Sequence, residues 1–325
     1  MCEQAILRTV DLKKYFVARN FLGSRKHAVK AVDGITFDIK KGECFGLVGE
    51  SGCGKSTLGR TLIRMYEPES GQIFFDGEDI SHIRDLHACH KRMQIIFQDP
   101  YSALDPHQNI QEILEEPLRM HSKLGPKERL DYITELLDKV GMKPDVLEKY
   151  TYEFSGGQRQ RIGIARALSV KPEFIMCDEP ISALDVSIQA QVVNMLEDLQ
   201  GELGLTYLFV SHDLSMVRHI SQRIGVMYLG NLVEIAMNDE LYTHPLHPYT
   251  QALLSAIPVA DPERARSTQR KTLQGDLPSP LNIPSGCRFH TRCPYAMEQC
   301  SQECPQLRTV GPNHQVACHQ IQGDS

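Results

Sequence analysis

The chain has no run of about 18 consecutive apolar residues, the length a helix needs to cross a bilayer. It is therefore read as a protein that does not itself span a membrane. It also lacks an excess of positive charge. Lys and Arg number 35 against 41 Asp and Glu, a net charge of −6, which provides no electrostatic footprint for nucleic acid. The first residues lack the apolar stretch of a secretory signal. Cys2 follows Met1, but lipidation would require such a stretch first, so Cys2 is read as incidental. There is no internal repeat and no low-complexity tract. What remains is a chain of 325 residues, 41% hydrophobic, enough for one large or two modest domains around a packed core.

Against these absences stands Gly49-Glu50-Ser51-Gly52-Cys53-Gly54-Lys55-Ser56-Thr57, which fits G-x-x-x-x-G-K-[ST]. The apolar run Cys44 to Val48 predicts a strand before it, and Ser56 to Met65 a helix after it. Glycines let backbone N–H groups turn toward one anion, and the helix N-terminus adds its dipole. In that setting Lys55 reaches the β- and γ-phosphates of a nucleotide, and Ser56 offers Mg²⁺ a small hard oxygen. A glycine-rich turn that merely precedes a lysine is the plainer reading, and it leaves the strand and helix context unexplained.

Two further apolar runs end in groups suited to phosphate chemistry. Phe174 to Cys177 leads into Asp178 and Glu179, the pattern of a parallel strand buried on both faces. Ligands of open α/β sheets sit at strand C-termini, which assigns Asp178 to Mg²⁺ and Glu179 to polarising the attacking water as general base. Leu205 to Val210 leads into Ser211-His212-Asp213, so His212 is placed to orient the γ-phosphate or the water. A third run, Ile95-Ile96-Phe97, precedes Gln98, whose amide suits Mg²⁺ or water. Ser155-Gly156-Gly157-Gln158 opens a predicted helix with Ile162, Ala165 and Leu168 on one face, a second anion cradle of a different type.

Elsewhere the pattern is α/β. Val29 to Ile39 and Gln72 to Phe75 have strand character, with turn signals at Glu69-Ser70-Gly71 and Asp76-Gly77. Between Gln98 and Ser155 the pattern turns helical. Leu130, Ile133, Leu137 and Val140 recur at helix spacing, and Gly141 stops that helix. Residues 158–237 return to helix–strand alternation, so the core is expected to be a mostly parallel sheet with helices on both faces. Beyond about residue 238 the prolines suggest an irregular, extended segment, and Asp261 to Arg270 reads as a charged, solvated linker.

These motifs, in this order and spacing, resemble the ABC-type nucleotide-binding domain over roughly Ile6 to Ala236. The resemblance implies a domain at 1–237 with a helical subdomain inserted at about 98–157. By that likeness Gly49–Thr57 is the Walker A motif, Gln98 the Q-loop and Phe154–Gln158 the signature. Phe174–Asp178 is the Walker B strand, Glu179 the catalytic glutamate and His212 the switch histidine. Ser182-Ala183-Leu184-Asp185 is the D-loop, and Mg²⁺ is held by Ser56, Gln98 and Asp178. Phe16 matches the aromatic that stacks on adenine, with Tyr15 as the alternative. The family pairs two domains head to tail, so that the signature of one acts on the ATP of the other. Its signature usually begins with Leu where this chain has Phe154; the phosphate-contacting Ser155, Gly156 and Gly157 are intact.

A narrower resemblance lies in residues 238–325. His247-Pro248-Tyr249-Thr250-Gln251-Ala252-Leu253-Leu254, Leu277-Pro278-Ser279-Pro280, Gly286-Cys287 and Arg292-Cys293-Pro294 are similar to the C-terminal extension of oligopeptide/dipeptide importer ATPases. Within that group the chain is most similar to the F-type subunit, and nickel and glutathione importers share the extension. The likeness implies an ATP-hydrolysing subunit, peripheral at the cytoplasmic face of the cell membrane. Its implied partners are a second, paralogous ATPase, two transmembrane permeases and a solute-binding protein, with no nucleic acid. A soluble ABC ATPase acting on nucleic acid or ribosomes is the rival class, and such proteins usually carry two cassettes or a long coiled coil.

Five of the ten cysteines fall between Cys287 and Cys318, and clustered thiolates suit a soft metal. Cys293 and Cys304 precede proline, a feature of some iron–sulfur ligands. The family likeness implies a [4Fe–4S] cluster on Cys287, Cys293, Cys300 and Cys318, with Cys304 as a substitute for Cys300 and zinc as the alternative metal.

Overall fold

The computed structural model describes residues 4–19, 25–257, 275 and 278–321. The charged stretch Asp261 to Arg270, as well as Cys2 and Leu277, lie outside the described residues. In chain order the strands are β1 (Ala5–Arg19), β2 (Arg25–Lys40), β3 (Cys44–Val48), β4 (Ser70–Phe75), β5 (Glu78–Asp79) and β6 (Met93–Ile96), then β7 (Phe174–Asp178), β8 (Thr206–Val210), β9 (Arg223–Tyr228), β10 (Asn231–Met237), β11 (Arg308–Gly311) and β12 (His314–Val316). The helices are α1 (Lys55–Leu62), α2 (His87–Arg92), α3 (Pro100–Ala103), α4 (Ile110–His121), α5 (Pro126–Lys139) and α6 (Gly156–Leu168), then α7 (Val186–Leu203), α8 (Leu214–Ile220), α9 (Asn238–Thr243), α10 (Pro248–Ser255) and α11 (Glu298–Gln302). Among the described residues no helix is long and apolar enough to cross a membrane.

The chain divides into two compact units, each assembled from separate stretches of sequence. The first contains Lys40–Cys44 and Ile83–Ser211. Its strands β6, β7 and β8 run parallel, with Ile95 opposite Met176 and Asp178 opposite Val210. Every residue of β7 and β8 is buried, which is why both read as continuous apolar runs. Helices α3 to α6 fill residues 100–168. An Asn109–Glu112 capping box starts α4, and Pro126 starts α5 with the Glu128 carboxylate accepting from the Gly125 N–H at 2.7 Å. Ile133, Leu137 and Val140 are buried, whereas Leu130, on the same predicted stripe, is 38% exposed.

The second unit contains Ala5–Ile39, Phe45–His82 and His212–Ser325. It holds an antiparallel sheet in the order β2-β1-β4-β5. It also holds β9, parallel to β3 and antiparallel to β10, with β12 and then β11 added on the far side of β10. The C-terminal segment is thus joined to the sheet, through Glu234 opposite Val316. It is also less irregular than its prolines suggest. Pro248 occupies the first turn of α10, where a missing N–H costs nothing, and the His247 ring caps that helix by accepting from the Tyr249 N–H at 3.1 Å.

Candidate functional site

The phosphate loop lies in the second unit. Strand β3 is wholly buried and ends at Val48; α1 begins at Lys55. Between them the backbone turns in ways that exclude side chains. Gly54 has φ of 107°, and a Cβ there would meet the Ala31 carbonyl oxygen at 2.0 Å; a Cβ on Gly49 would meet the Met227 carbonyl oxygen at 2.2 Å. Lys55 is buried, its ammonium donating to the carbonyls of Gly49 at 2.8 Å and Glu50 at 3.2 Å. Ser51 and Gly52 are exposed at the rim, and Ser56 and Thr57 are half-buried. The Cys53 thiol is buried, and that burial pushes its pKa up.

The strand end that carries the two carboxylates lies in the first unit. Asp178 closes β7 and is fully buried. Glu179 follows in a left-handed backbone, φ 47°, a conformation non-glycine residues rarely adopt. Three contacts hold it there. Its N–H donates to the Val210 carbonyl at 2.9 Å, and its own carbonyl accepts from the Ser182 N–H at 3.2 Å and hydroxyl at 3.1 Å. Its carboxylate accepts from the Gln98 amide nitrogen at 3.1 Å. Gln98 and Glu179, 81 residues apart, are therefore brought together. With its nitrogen so engaged, Gln98 keeps its carbonyl oxygen as a hard donor. Within the first unit, the Asp178 carboxylate and the Gln98 amide oxygen are donors of the hard type that Mg²⁺ takes.

Ser155 is the N-cap of α6. Its hydroxyl accepts from the Gln158 N–H at 3.4 Å, while the Gln158 side chain accepts from the Ser155 N–H at 3.0 Å. Ser155, Gly156 and Gln158 are exposed; Phe154 is buried, so an apolar residue is what that position requires. A Cβ on Gly157 would meet Ile188 Cγ2 at 2.5 Å, which pins α6 close to α7. In the Ser182–Asp185 turn the Gln189 amide donates to the Leu184 carbonyl at 2.9 Å, and Ala183, Asp185 and Val186 are exposed. His212 is exposed, two residues beyond β8.

The two aromatic candidates differ. The Tyr15 hydroxyl donates to Asp33, which also pairs with Arg288; burial and that hydrogen bond push the phenol up. Phe16 leaves 39% of its surface exposed, with the Tyr66 ring edge-on at 5.5 Å.

Of the tail cysteines, Cys287, Cys293, Cys300 and Cys318 lie within one another's electrostatic reach, and the Cys287 N–H donates to the Cys300 carbonyl at 2.7 Å. Cys304 sits apart, beside Arg288 and Asp33, with the Asn231 amide 3.8 Å from its sulfur. Among the described residues no three His, Cys, Asp or Glu side chains gather closely enough to hold a metal ion. Sequence reasoning missed Arg292 and Tyr249 as residues of the phosphate loop's surroundings. Both touch Glu50, and no local pattern signals contacts 242 and 199 residues apart.

A buried strand, a glycine cradle and a helix with a buried lysine at its first position define a phosphate-loop nucleotide-binding protein. The ABC transporter family matches residues 32–182, and the oligopeptide/dipeptide transporter C-terminal region matches residues 233–300. The chain is 54% identical over 321 residues to the oligopeptide transport ATP-binding protein AppF of Bacillus subtilis (strain 168), covering 98% of both chains. It is 52% identical to a putative peptide import ATP-binding protein of Brucella ovis, again over 98% of each. Among solved structures it is similar to cbiO1 of Clostridium perfringens, part of the ABC transporter complex cbiONQ. The TM-score is 0.64 and the identity 27%, covering 74% of this chain and 92% of that one. The chain belongs to the ATP-binding protein family of ABC transporters, and it is an ATPase of that family.

Proposed function

We propose that this chain hydrolyses ATP to drive import of di- or oligopeptides through a channel made by other chains. The observation that carries the catalytic part is the Gln98–Glu179 hydrogen bond at the end of β7, which holds a carboxylate ready at the strand terminus. In this reading Lys55 and the loop amides bind the β- and γ-phosphates, and the exposed Phe16 ring stacks on adenine, since Tyr15 is engaged by Asp33. Ser56, Asp178 and Gln98 would hold Mg²⁺, which would neutralise charge on the phosphates. Glu179 accepts the proton of the attacking water and His212 orients the γ-phosphate. Ser155, Gly156, Gly157 and Gln158, together with Ser182–Asp185, serve the nucleotide of a partner ATPase. The exposed helix start is the form an anion site on another chain requires. The domain division is read as 1–237, with its helical part at 98–157, and an extension at 238–325.

The names of the relatives support peptides over nickel or glutathione as cargo. Two permeases, a capture protein and a paralogous ATPase at the cytoplasmic membrane face complete the proposed assembly. Glu179→Gln tests the chemistry. Nucleotide affinity should stay near wild type while turnover falls at least about 100-fold, the lower end of general-base effects. Normal turnover would remove Glu179 from its role.

We further propose that the C-terminal cysteines carry a [4Fe–4S] cluster on Cys287, Cys293, Cys300 and Cys318. Their mutual proximity supports this set, and the separate environment of Cys304 leaves it outside. The cluster's role would be to pin a tail with little core of its own. Anaerobically purified protein should contain iron and acid-labile sulfide, lose both in Cys300→Ala and keep both in Cys304→Ala. Absence of both from wild type would refute the cluster.

A further inference from the structure

Glu50 occupies the second position of the phosphate loop, and residues of the C-terminal extension grip it twice. Its N–H donates to the Tyr249 hydroxyl at 2.8 Å. Its carboxylate accepts a two-pronged pair from Arg292, Nη1 to Oε2 at 2.8 Å and Nη2 to Oε1 at 3.1 Å. The Arg292 side chain is only 8% exposed, and it also donates to the Tyr228 hydroxyl at 3.4 Å. Tyr249 is fully buried against Tyr228 and Phe289, and the Tyr228 ring in turn meets Phe289 edge-on. All of these residues belong to the same compact unit.

The charge balance makes this grip informative. A loop that must accept a triphosphate carries a carboxylate of its own, and like charges a few ångströms apart in a partly dry site repel strongly. The carboxylate is matched by a planar guanidinium in bidentate geometry, the arrangement in which arginine binds carboxylates best.

We infer that Arg292 and Tyr249 are positioning residues for the nucleotide. Arg292 cancels the charge of Glu50 and Tyr249 fixes its backbone, so the extension completes a phosphate loop that its own ATPase segment leaves electrostatically unfinished. This rests on reading Gly49–Thr57 as a nucleotide phosphate site. It assigns the tail a direct part in ATP affinity, separate from any metal it carries.

The test is titration of the purified full chain with a fluorescent ATP analogue and with its AMP counterpart, each variant being checked by thermal unfolding. Arg292→Met should weaken ATP binding on the order of tenfold, equivalent to about 1.4 kcal/mol, and AMP binding much less. Adding Glu50→Gln to Arg292→Met should restore ATP affinity to within about threefold of wild type, because the unmatched charge is then gone. In steady state Arg292→Met should raise KM and leave kcat at saturating ATP nearly unchanged. Wild-type affinity in Arg292→Met would overturn the inference, and so would a folded double variant as weak as Arg292→Met alone. If Arg292→Met does not fold, Glu50→Gln alone decides: equal or tighter ATP binding supports the inference, and weaker binding overturns it. A wild-type chain that binds no ATP would defeat the underlying phosphate-site reading instead, a result none of the variant comparisons can mimic.

Discussion

Glu179 combines the two features that mark a functional residue physically: an uncommon left-handed backbone and a set of contacts that enforces it. The apolar run before it pointed to the strand, and its carboxylate to the chemistry, but the backbone twist has no sequence signal. The same holds for Tyr15 and Phe16, adjacent aromatics that sequence alone does not separate; the Asp33–Arg288 pair engages one and leaves the other exposed. His247 shows how a motif residue can matter for stability. Burial pushes its imidazole down to about 4 from an ordinary 6.5, against the opposing pull of Glu234. The folded state therefore resists protonation that the unfolded state accepts. This contribution is complete above pH 6.5 and is lost as pH falls toward about 4. Urea unfolding should register the loss, at up to about 1.4 kcal/mol per pH unit across that window. His247→Asn keeps a helix cap and should flatten this slope; an unchanged slope would assign it to other groups.

At the scale of elements, the sequence was most legible where burial is complete. β3, β7 and β8 are continuous apolar runs, and the structure places all three strands within a residue of the predicted bounds. α5 was legible from its period and from Gly141, which takes φ of 69° just past the helix. α1 was overestimated: it ends at Leu62 rather than Met65, because Arg64 turns left-handed at φ 61° with no Gly or Pro to announce it. The proline-bearing stretch after 238 was underestimated, since Pro248 starts a helix instead of breaking one. The close approach of α6 to α7 was equally invisible, and it yields a prediction. Gly157→Ala places a methyl 2.5 Å from Ile188 Cγ2, so the two helices must separate. Overpacking of this kind costs about 1–3 kcal/mol, measurable by urea unfolding. A variant as stable as wild type would mean that Ile188 repacks freely.

At the scale of the molecule, neither compact unit is a continuous stretch of chain, and this is why the motifs were readable while their surroundings were not. Each motif is local: a few residues whose order suffices to name the chemistry. What tunes a motif arrives from elsewhere, as Arg292 and Tyr249 reach Glu50, and Glu234 on β10 ties in His314 of β12 at 2.8 Å along with the N–H groups of Leu246 and His247. The C-terminal extension is built into the second unit through these contacts. That this ATPase works as a subunit of a membrane importer can be tested directly by what it binds in the cell. The chain should be tagged in its native cell, extracted from membranes in mild detergent, and everything retained with it identified by mass spectrometry. Two membrane-spanning proteins and a second, different ATPase of the same family should be recovered; recovery of the chain alone, or with ribosomes or nucleic acid, would contradict a role in import.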